Sequence, residues 1–150
     1  NYLSRQFSQR TAKKQYAAVT SGIPVQHEAV IDLPIERNPK EPSTHRVGTG
    51  GKSAETYYEL IDQSATHALL TLRPKTGRTH QLRVHLASIG HPIVGDDLYS
   101  RLASGDEPPR LGTATMVPIA LHATRLRLRH PRSGESLEFD STSPSSFGLG

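Results

Sequence analysis

A recurring alternation of apolar and polar residues predicts that much of this chain forms β-strands. The alternation is clearest over 121–129, where three arginines share one predicted face and mostly apolar residues share the other. The same pattern in weaker form predicts five further strands, over 14–20, 29–33, 53–62, 67–73 and 135–139. Only a short polar segment separates 53–62 from 67–73, which favours a β-hairpin.

Helical spacing, with apolar residues three or four positions apart, occurs in two segments. Residues 2–10 predict a largely polar helix, and residues 80–89 predict a second one. Thr79 is the expected N-cap of the second helix, and Gly90 is placed to end it. One face of that helix carries the apolar residues expected to enter the core, which are Leu82, Leu86 and Ile89.

Three segments lack either period and are rich in glycine, proline or serine. Residues 22–51, apart from the short strand within them, and residues 100–118 predict loops. Residues 141–150 predict a disordered tail. Residues 1–140 then form the folded unit, and their strands and two helices predict an α+β fold with a mixed, mainly antiparallel sheet and flanking helices.

The composition is thin for a self-sufficient hydrophobic core. Hydrophobic residues make up 34% of the 150 residues, and there is no tryptophan. The first residue is Asn1 rather than methionine. Together these features favour a portion of a larger domain, whose other part would complete the core, over a small polar domain.

Positive charge is concentrated in three segments, and the net charge is +4. Residues 1–14 and 63–95 contain no acidic residue, and arginines cluster over 125–132. Segregated positive charge of this kind is typical of nucleic-acid-binding proteins. The chain has no cysteine, which excludes disulfides, thiol nucleophiles and thiolate metal sites. It also has no apolar run of about 20 residues. A soluble cytoplasmic protein is therefore expected, with an organellar or nuclear location left open.

A cluster of cationic and imidazole side chains lies on the turn and helix predicted around residue 80. Its members are Lys75, Arg78, His80, Arg83 and His85. Such a cluster implies a nearby anion. A helical arginine beside core residues usually has a carboxylate or phosphate partner, and no acid lies within 63–95. Two alternatives stay open for Arg83: an ion pair across the fold with Asp96 or Glu59, or a functional role facing an anion.

Two other patterns resemble sites of known chemistry but lack essential features. Residues 51–53, Gly-Lys-Ser, resemble the end of a phosphate-binding loop, yet Arg46 occupies the position of its first glycine. Among the eight histidines, His80 and His85 are five positions apart, so they would lie on different faces of a helix. Neither a nucleotide-hydrolase site nor a metal site is predicted.

Five short motifs occur along the chain in a characteristic order. They are Lys-Lys-Gln-Tyr-Ala at 13–17, Gly-Lys-x-Ala-x-Thr-x-Tyr at 51–58, Thr-Gly-Arg-Thr-His-Gln-Leu-Arg-Val-His at 76–85, Gly-His-Pro-Ile-Val-Gly-Asp at 90–96, and Leu-His-Ala at 121–123 with a later His-Pro at 130–131. Taken together, these motifs resemble those of the RluA-type family of RNA pseudouridine synthases. The third motif is highly specific to that family.

The resemblance implies an enzyme that isomerises uridine to pseudouridine in structured ribosomal or transfer RNA, without a cofactor or a required metal. It implies catalytic roles for Tyr16, which would pack against the target base, and for Arg83, which would pair with the catalytic aspartate. Together with the positive charge, it predicts RNA contacts by six residues, which are Lys13, Lys14, Lys75, Arg78, His80 and Gln81.

One essential family motif does not occur in this sequence. The nucleophilic aspartate of the family lies in a His-Arg-Leu-Asp-x-x-Thr-Ser-Gly motif before the Lys-x-Tyr strand. Residues 1–140 therefore resemble the C-terminal portion of the catalytic domain, which would be inactive without its N-terminal portion as partner. Arg83 would then lack an acid because that acid lies in the other portion. A non-catalytic RNA-binding protein derived from a synthase is the alternative.

Overall fold

The computed structural model describes residues 1–105 and 117–149. Helices and strands follow each other in the order α1 (Tyr2–Ser8), β1 (Lys13–Ser21), β2 (Glu28–Asp32), β3 (Ile35–Arg37), β4 (His45–Val47), β5 (Glu55–Gln63), β6 (His67–Pro74), α2 (Gln81–Ser88), α3 (Asp97–Ser104), β7 (Leu121–Arg129) and β8 (Ser136–Asp140). A single 3-10 turn, Ser145–Phe147, follows the last strand. None of the helices in these ranges has the length and apolar character needed to cross a bilayer.

Six of the strands form one sheet in the order β2-β5-β6-β1-β7-β8, and every neighbouring pair is antiparallel. The strands β3 and β4 form a separate two-stranded sheet. The predicted α+β fold with a mainly antiparallel sheet is confirmed, as is the hairpin of β5 and β6. The predicted strand over 121–129 coincides with β7.

The central strand β1 is buried on both of its faces over residues 17–20. On one face, Ala18 belongs to the main core together with Leu82 and Leu86 of α2. Each fully buried leucine of this kind stabilises the fold by roughly 1.5–3 kcal/mol. On the other face, Ala17 packs with Phe147 of the 3-10 turn. The segment 141–150 was predicted to be a disordered tail. In the structure, Phe147 near its end packs against an apolar site on the sheet.

The start of α2 differs from the prediction. The N-cap is His80 rather than Thr79, and its φ of 54° lies in the left-handed region. No side chain caps the helix from this position. Non-glycine residues rarely adopt this conformation, and they do so mainly where the surrounding structure holds them, often at functional sites.

Two segments predicted as loops contain regular structure. Within 22–51 lie the short strands β3 and β4, whose three-residue lengths give little periodic signal. Within 100–118, the first residues belong to α3, which begins where Asp96 caps its first turn and ends at Gly105 with a φ of 77°. The loop prediction is therefore wrong for the C-terminal part of α3. The predicted loop residues 106–116 lie outside the described residues.

Candidate active site

The turn before α2 is held in place by Gln81, which is buried at the first position of that helix. Its amide oxygen accepts hydrogen bonds from the Thr76 hydroxyl (2.6 Å) and the Arg78 backbone N–H (3.0 Å). Its amide nitrogen donates to the Glu55 carbonyl (2.9 Å) and the Thr56 hydroxyl (3.0 Å). All four hydrogen-bonding positions of the amide are thus used within the protein. Gln81, which is predicted to contact RNA, thus fixes the geometry of the turn at the edge of the cavity described below.

His85 anchors α2 to the sheet from a fully buried position. Its Nε2 lies 2.8 Å from the Leu33 carbonyl, and its Nδ1 lies 2.9 Å from the Thr56 hydroxyl. Because a carbonyl can only accept, Nε2 carries the proton, and the Thr56 hydroxyl donates to Nδ1. Burial lowers the pKa of His85, which favours this neutral ring. The hydrogen bonds of His85 therefore indicate a structural role, and both ring nitrogens are used to hold α2 against the sheet.

Acidification is expected to destabilise the fold through His85. Because its pKa in the folded state is lowered below the unfolded value of about 6.5, the unfolded chain binds more protons below that value. The free energy of unfolding should therefore fall as the pH decreases from about 6.5. Urea denaturation at several pH values measures this slope. His85→Gln should reduce the slope, and equal slopes in wild type and His85→Gln would contradict this role of His85.

Arg83 extends from α2 to Asp96, the residue before α3, and forms an ion pair with it. Nε of Arg83 donates to Oδ2 of Asp96 (2.8 Å), and Nη2 donates to Oδ1 (2.9 Å). The Asp96 side chain is 1% exposed and that of Arg83 is 23% exposed. The hydrogen bonds to Asp96 raise the pKa of Arg83. The expectation that Arg83 lacks an acid within this chain is therefore wrong. Of the two candidate acids, Asp96 is the partner of Arg83, whereas Glu59 lies 3.8 Å from Arg73.

Tyr16 and Arg83 line the same cavity, which has a volume of about 310 Å³. Tyr16 is on β1 and Leu121 begins β7, so the sheet supplies one wall and α2 the other. The volume is at the lower end of the range for small-molecule pockets, roughly 300–1,000 Å³. Burial raises the pKa of Tyr16, so its phenol is neutral at pH 7. The structure thus brings the two predicted catalytic residues together at one cavity.

The predicted RNA-contacting residues are divided between this cavity and the surrounding surface. Four of them line the cavity, which are Lys14, Arg78, His80 and Gln81. Lys13 lines a separate one on the sheet. Lys75 makes an exposed ion pair with β5. Positive charge is therefore present on the cavity wall, from side chains of the first strand and of the turn before α2.

The basic face of β7 is partly neutralised by the neighbouring strand. Nε of Arg125 donates to Asp140 (2.6 Å), and Nε of Arg127 donates to Glu138 (2.7 Å). Exposed cross-strand pairs of this kind contribute about 0–1 kcal/mol each. The third basic segment of the sequence is therefore weaker as an anion-binding surface than its arginine count suggests.

The chemistry available in the cavity follows from its lining. Among the described residues, those that line it include an aromatic ring, cations and an imidazole, but no aspartate or glutamate. Within the same ranges, no three His, Asp or Glu side chains are placed to share a metal ion. The arrangement suits a flat, carbonyl-bearing ligand with a nearby anion, and it would need a carboxylate from elsewhere for nucleophilic chemistry at a sugar.

Comparison with known proteins finds relatives over most of the chain. The family model for RNA pseudouridylate synthase matches residues 1–88. The ribosomal large subunit pseudouridine synthase D of Nitrosomonas europaea is 41% identical over 143 residues, covering 95% of this chain and 41% of that protein. The dual-specificity RNA pseudouridine synthase RluA of Escherichia coli strain K12 is 40% identical over 139 residues, covering 91% of this chain and 60% of that protein.

A solved structure gives the same result for the fold. The human RNA pseudouridylate synthase domain containing 1 superposes with a TM-score of 0.77 at 30% identity, covering 95% of this chain and 59% of that one. The chain spans about half the length of the curated relatives it matches. Sequence identity, the family model over residues 1–88 and the fold agree, and the chain belongs to the RNA pseudouridylate synthase family.

Proposed function

We propose that the full-length protein is an RNA pseudouridine synthase, which isomerises uridine to pseudouridine in structured ribosomal or transfer RNA. Residues 1–150 alone are inactive in this proposal, because the nucleophilic aspartate comes from another portion of the same catalytic domain. The observation that carries the proposal is that Tyr16 and Arg83 line one cavity with cationic walls.

The reaction places clear demands on the cavity. The glycosidic bond between N1 and C1′ must break, the base must turn, and a bond between C5 and C1′ must form, while C5 loses a proton and N1 gains one. A carboxylate suits the first step as a nucleophile or base. In Arg83, Nε and Nη2 bind Asp96, and Nη1 has no hydrogen bond to any of residues 1–105 or 117–149. Nη1 is therefore the donor that would keep the incoming carboxylate ionised and oriented.

Tyr16 supports the proposal through both its ring and its hydroxyl. The ring provides a flat wall against which a detached uracil would stay in place, which keeps the intermediate from escaping. Because burial raises the pKa of Tyr16, the hydroxyl is protonated at neutral pH. It would therefore act as a hydrogen-bond donor or acid during proton transfer, not as a phenolate base.

Cations around the cavity suit an RNA substrate whose target base leaves the stack. Base flipping costs a few kcal/mol, and contacts to phosphates can offset that cost. Lys14 and Arg78 line the cavity, and Arg78 is fixed by a hydrogen bond from its Nε to the Ser53 carbonyl (2.9 Å). RNA affinity should consequently fall as salt concentration rises.

The test of the proposed function is tritium release from C5-labelled uridine in ribosomal and transfer RNA. Both the full-length protein and residues 1–150 are assayed. The proposal predicts turnover by the full-length protein and none by residues 1–150. Turnover by the shorter chain would refute its inactivity, and failure of the full-length protein on every structured RNA tried would refute the synthase activity.

A non-catalytic RNA-binding protein with the synthase fold is the second candidate. It is favoured by the lack of a carboxylate among the described residues that line the cavity. The coding sequence upstream of Tyr16 distinguishes the two candidates. A His-Arg-Leu-Asp stretch there favours the enzyme, and a different sequence there favours the binding protein.

A further inference from the structure

A second set of side chains lies behind the cavity wall and contacts the residues that form it. Asp96 holds Arg83 by two hydrogen bonds and also accepts one from the Tyr99 backbone N–H (3.2 Å), as the N-cap of α3. Gly95 has a φ of 81°, and a Cβ at this position would overlap the Pro118 carbonyl. Only glycine fits here, and the buried carboxylate is thereby held at the junction of α2 and α3.

Tyr99 is buried on α3 and contacts two residues of the cavity wall. Its ring centre lies 4.7 Å from the guanidinium carbon of Arg83, as in a cation–π contact. Its hydroxyl accepts a hydrogen bond from the His45 backbone N–H (3.1 Å) and lies 2.7 Å from Nδ1 of His80. A backbone N–H can only donate, and Nδ1 of His80 is the hydrogen-bond partner within reach of the hydroxyl hydrogen, so we assign the hydroxyl as the donor to Nδ1.

The hydrogen bond from Tyr99 indicates which nitrogen of the neutral His80 ring carries the proton. With Nδ1 accepting, the neutral ring carries its proton on Nε2. Burial lowers the pKa of His80, and the charges of Arg83 and His45 lower it further, while Asp96 opposes them. His80 therefore enters the cavity wall as a neutral imidazole with one donor, Nε2–H.

We propose that Asp96 and Tyr99 are positioning residues for the reaction, which act through Arg83 and His80 without lining the cavity themselves. The inference rests on the proposed function. Asp96 holds one edge of the guanidinium and Tyr99 covers its face. The direction of Nη1, which has no hydrogen bond within residues 1–105 and 117–149, is therefore set before any substrate binds. Donors that are already oriented stabilise a developing charge without reorganisation during the reaction.

The alternative is that this cluster only stabilises the junction of α2 and α3. The two roles differ in what they predict for a folded variant. An ion pair that is purely structural changes the free energy of unfolding and leaves kcat of the folded protein unchanged. A positioning pair changes kcat while leaving the KM for RNA nearly constant, because the RNA-binding cations are not moved.

The test uses the full-length protein with Asp96→Asn, assayed by tritium release below the melting temperature of each variant. Asparagine is also a good N-cap, so the start of α3 is retained, but its amide nitrogen would face a donor of Arg83. We expect kcat to fall by about 10²-fold, the size of effect that small misplacement of a reacting group produces. The KM for RNA should stay close to the wild-type value.

Two further variants make the result decisive. Glu41→Gln is the matched control, because Glu41 pairs with Arg101 of α3 (3.0 Å) and neither residue lines the cavity. It should leave kcat and KM unchanged. Tyr99→Phe keeps the ring and removes the hydroxyl, and it should lower kcat by about tenfold. It provides an independent result if Asp96→Asn does not fold.

Each outcome has a distinct meaning. A wild-type kcat in folded Asp96→Asn or, where that variant does not fold, in Tyr99→Phe would overturn the inference. A loss in Glu41→Gln as large as in Asp96→Asn would also overturn it, because any weakening of α3 would then have the same effect. In both cases, pseudouridine formation by the wild-type protein would still support the proposed function. A wild-type protein without this activity would contradict the proposed function itself.

Discussion

Arg83→Met in the full-length protein is expected to lower kcat/KM for pseudouridine formation by about 10³-fold. It is also expected to lower the free energy of unfolding by about 3–5 kcal/mol. The first effect follows from loss of the guanidinium that would orient the catalytic carboxylate. The second follows from the Asp96 carboxylate, whose side chain is 1% exposed and would remain buried without a counterion. Tritium release and urea denaturation measure the two effects separately.

A double variant separates these two roles of Arg83. Combining Arg83→Met with Asp96→Asn removes the buried negative charge together with its partner, so part of the lost stability should return. Activity should not return, because the donor facing the cavity is still missing. Recovery of activity in the double variant would contradict a direct role for Arg83, and an unchanged stability in the single variant would contradict the importance of the buried pair.

Tyr16→Leu is expected to lower kcat by about 10²–10⁴-fold, the range for loss of a proton-transfer group. The change removes both the aromatic wall of the cavity and its hydroxyl. Tyr16→Phe keeps the wall, so the difference between the two variants isolates the contribution of the hydroxyl. Single-turnover tritium release measures the effect on the chemical steps without interference from product release.

A second tyrosine offers a matched control for this experiment. Tyr57 lies on β5, with its ring 5.4 Å from the guanidinium of Arg73 and its hydroxyl donating to Glu28 (2.9 Å). It does not line the cavity that contains Tyr16. Tyr57→Leu should leave kcat unchanged. If Tyr57→Leu and Tyr16→Leu reduced kcat equally, the specific role of Tyr16 would be wrong.

The sheet was largely predictable from the sequence because apolar and polar residues alternate along its strands, most clearly in β7. In β7, arginines at alternate positions must all lie on the same face of the sheet, and the predicted and observed bounds of the strand agree. In β5 and β6, a short polar connection between two such patterns implies antiparallel pairing. Successive side chains of a strand point to opposite faces of the sheet, so the sequence of the strand itself is sufficient to predict which residues share a face.

The surroundings of Arg83 were harder to predict because they depend on how separate elements pack. Its pairing with Asp96 was one of two open alternatives, and the choice depends on where α3 lies relative to α2. The roles of Asp96 and Tyr99 were missed for the same reason. A local signal for α3 was nevertheless present: an aspartate that precedes a helical stretch and a glycine, Gly105, that ends it.

The turn before α2 shows a second limit of local reasoning. Thr79 has the composition of an N-cap, yet the buried amide of Gln81 binds Thr76 and the backbone of the turn instead. His80 is consequently held with a positive φ at the start of the helix. The local preference of a capping residue is here outweighed by the four hydrogen bonds that the buried Gln81 side chain makes.

The proposed site depends on the distance from Nη1 of Arg83 to the nearest carboxylate outside residues 1–150, which an experimental structure of the full-length protein would measure. We predict an aspartate oxygen at about 2.7–2.9 Å, with Nε and Nη2 still bound to Asp96 and with Tyr16 across the cavity. A cavity without any second carboxylate, in which Asp96 alone holds the guanidinium, would contradict it.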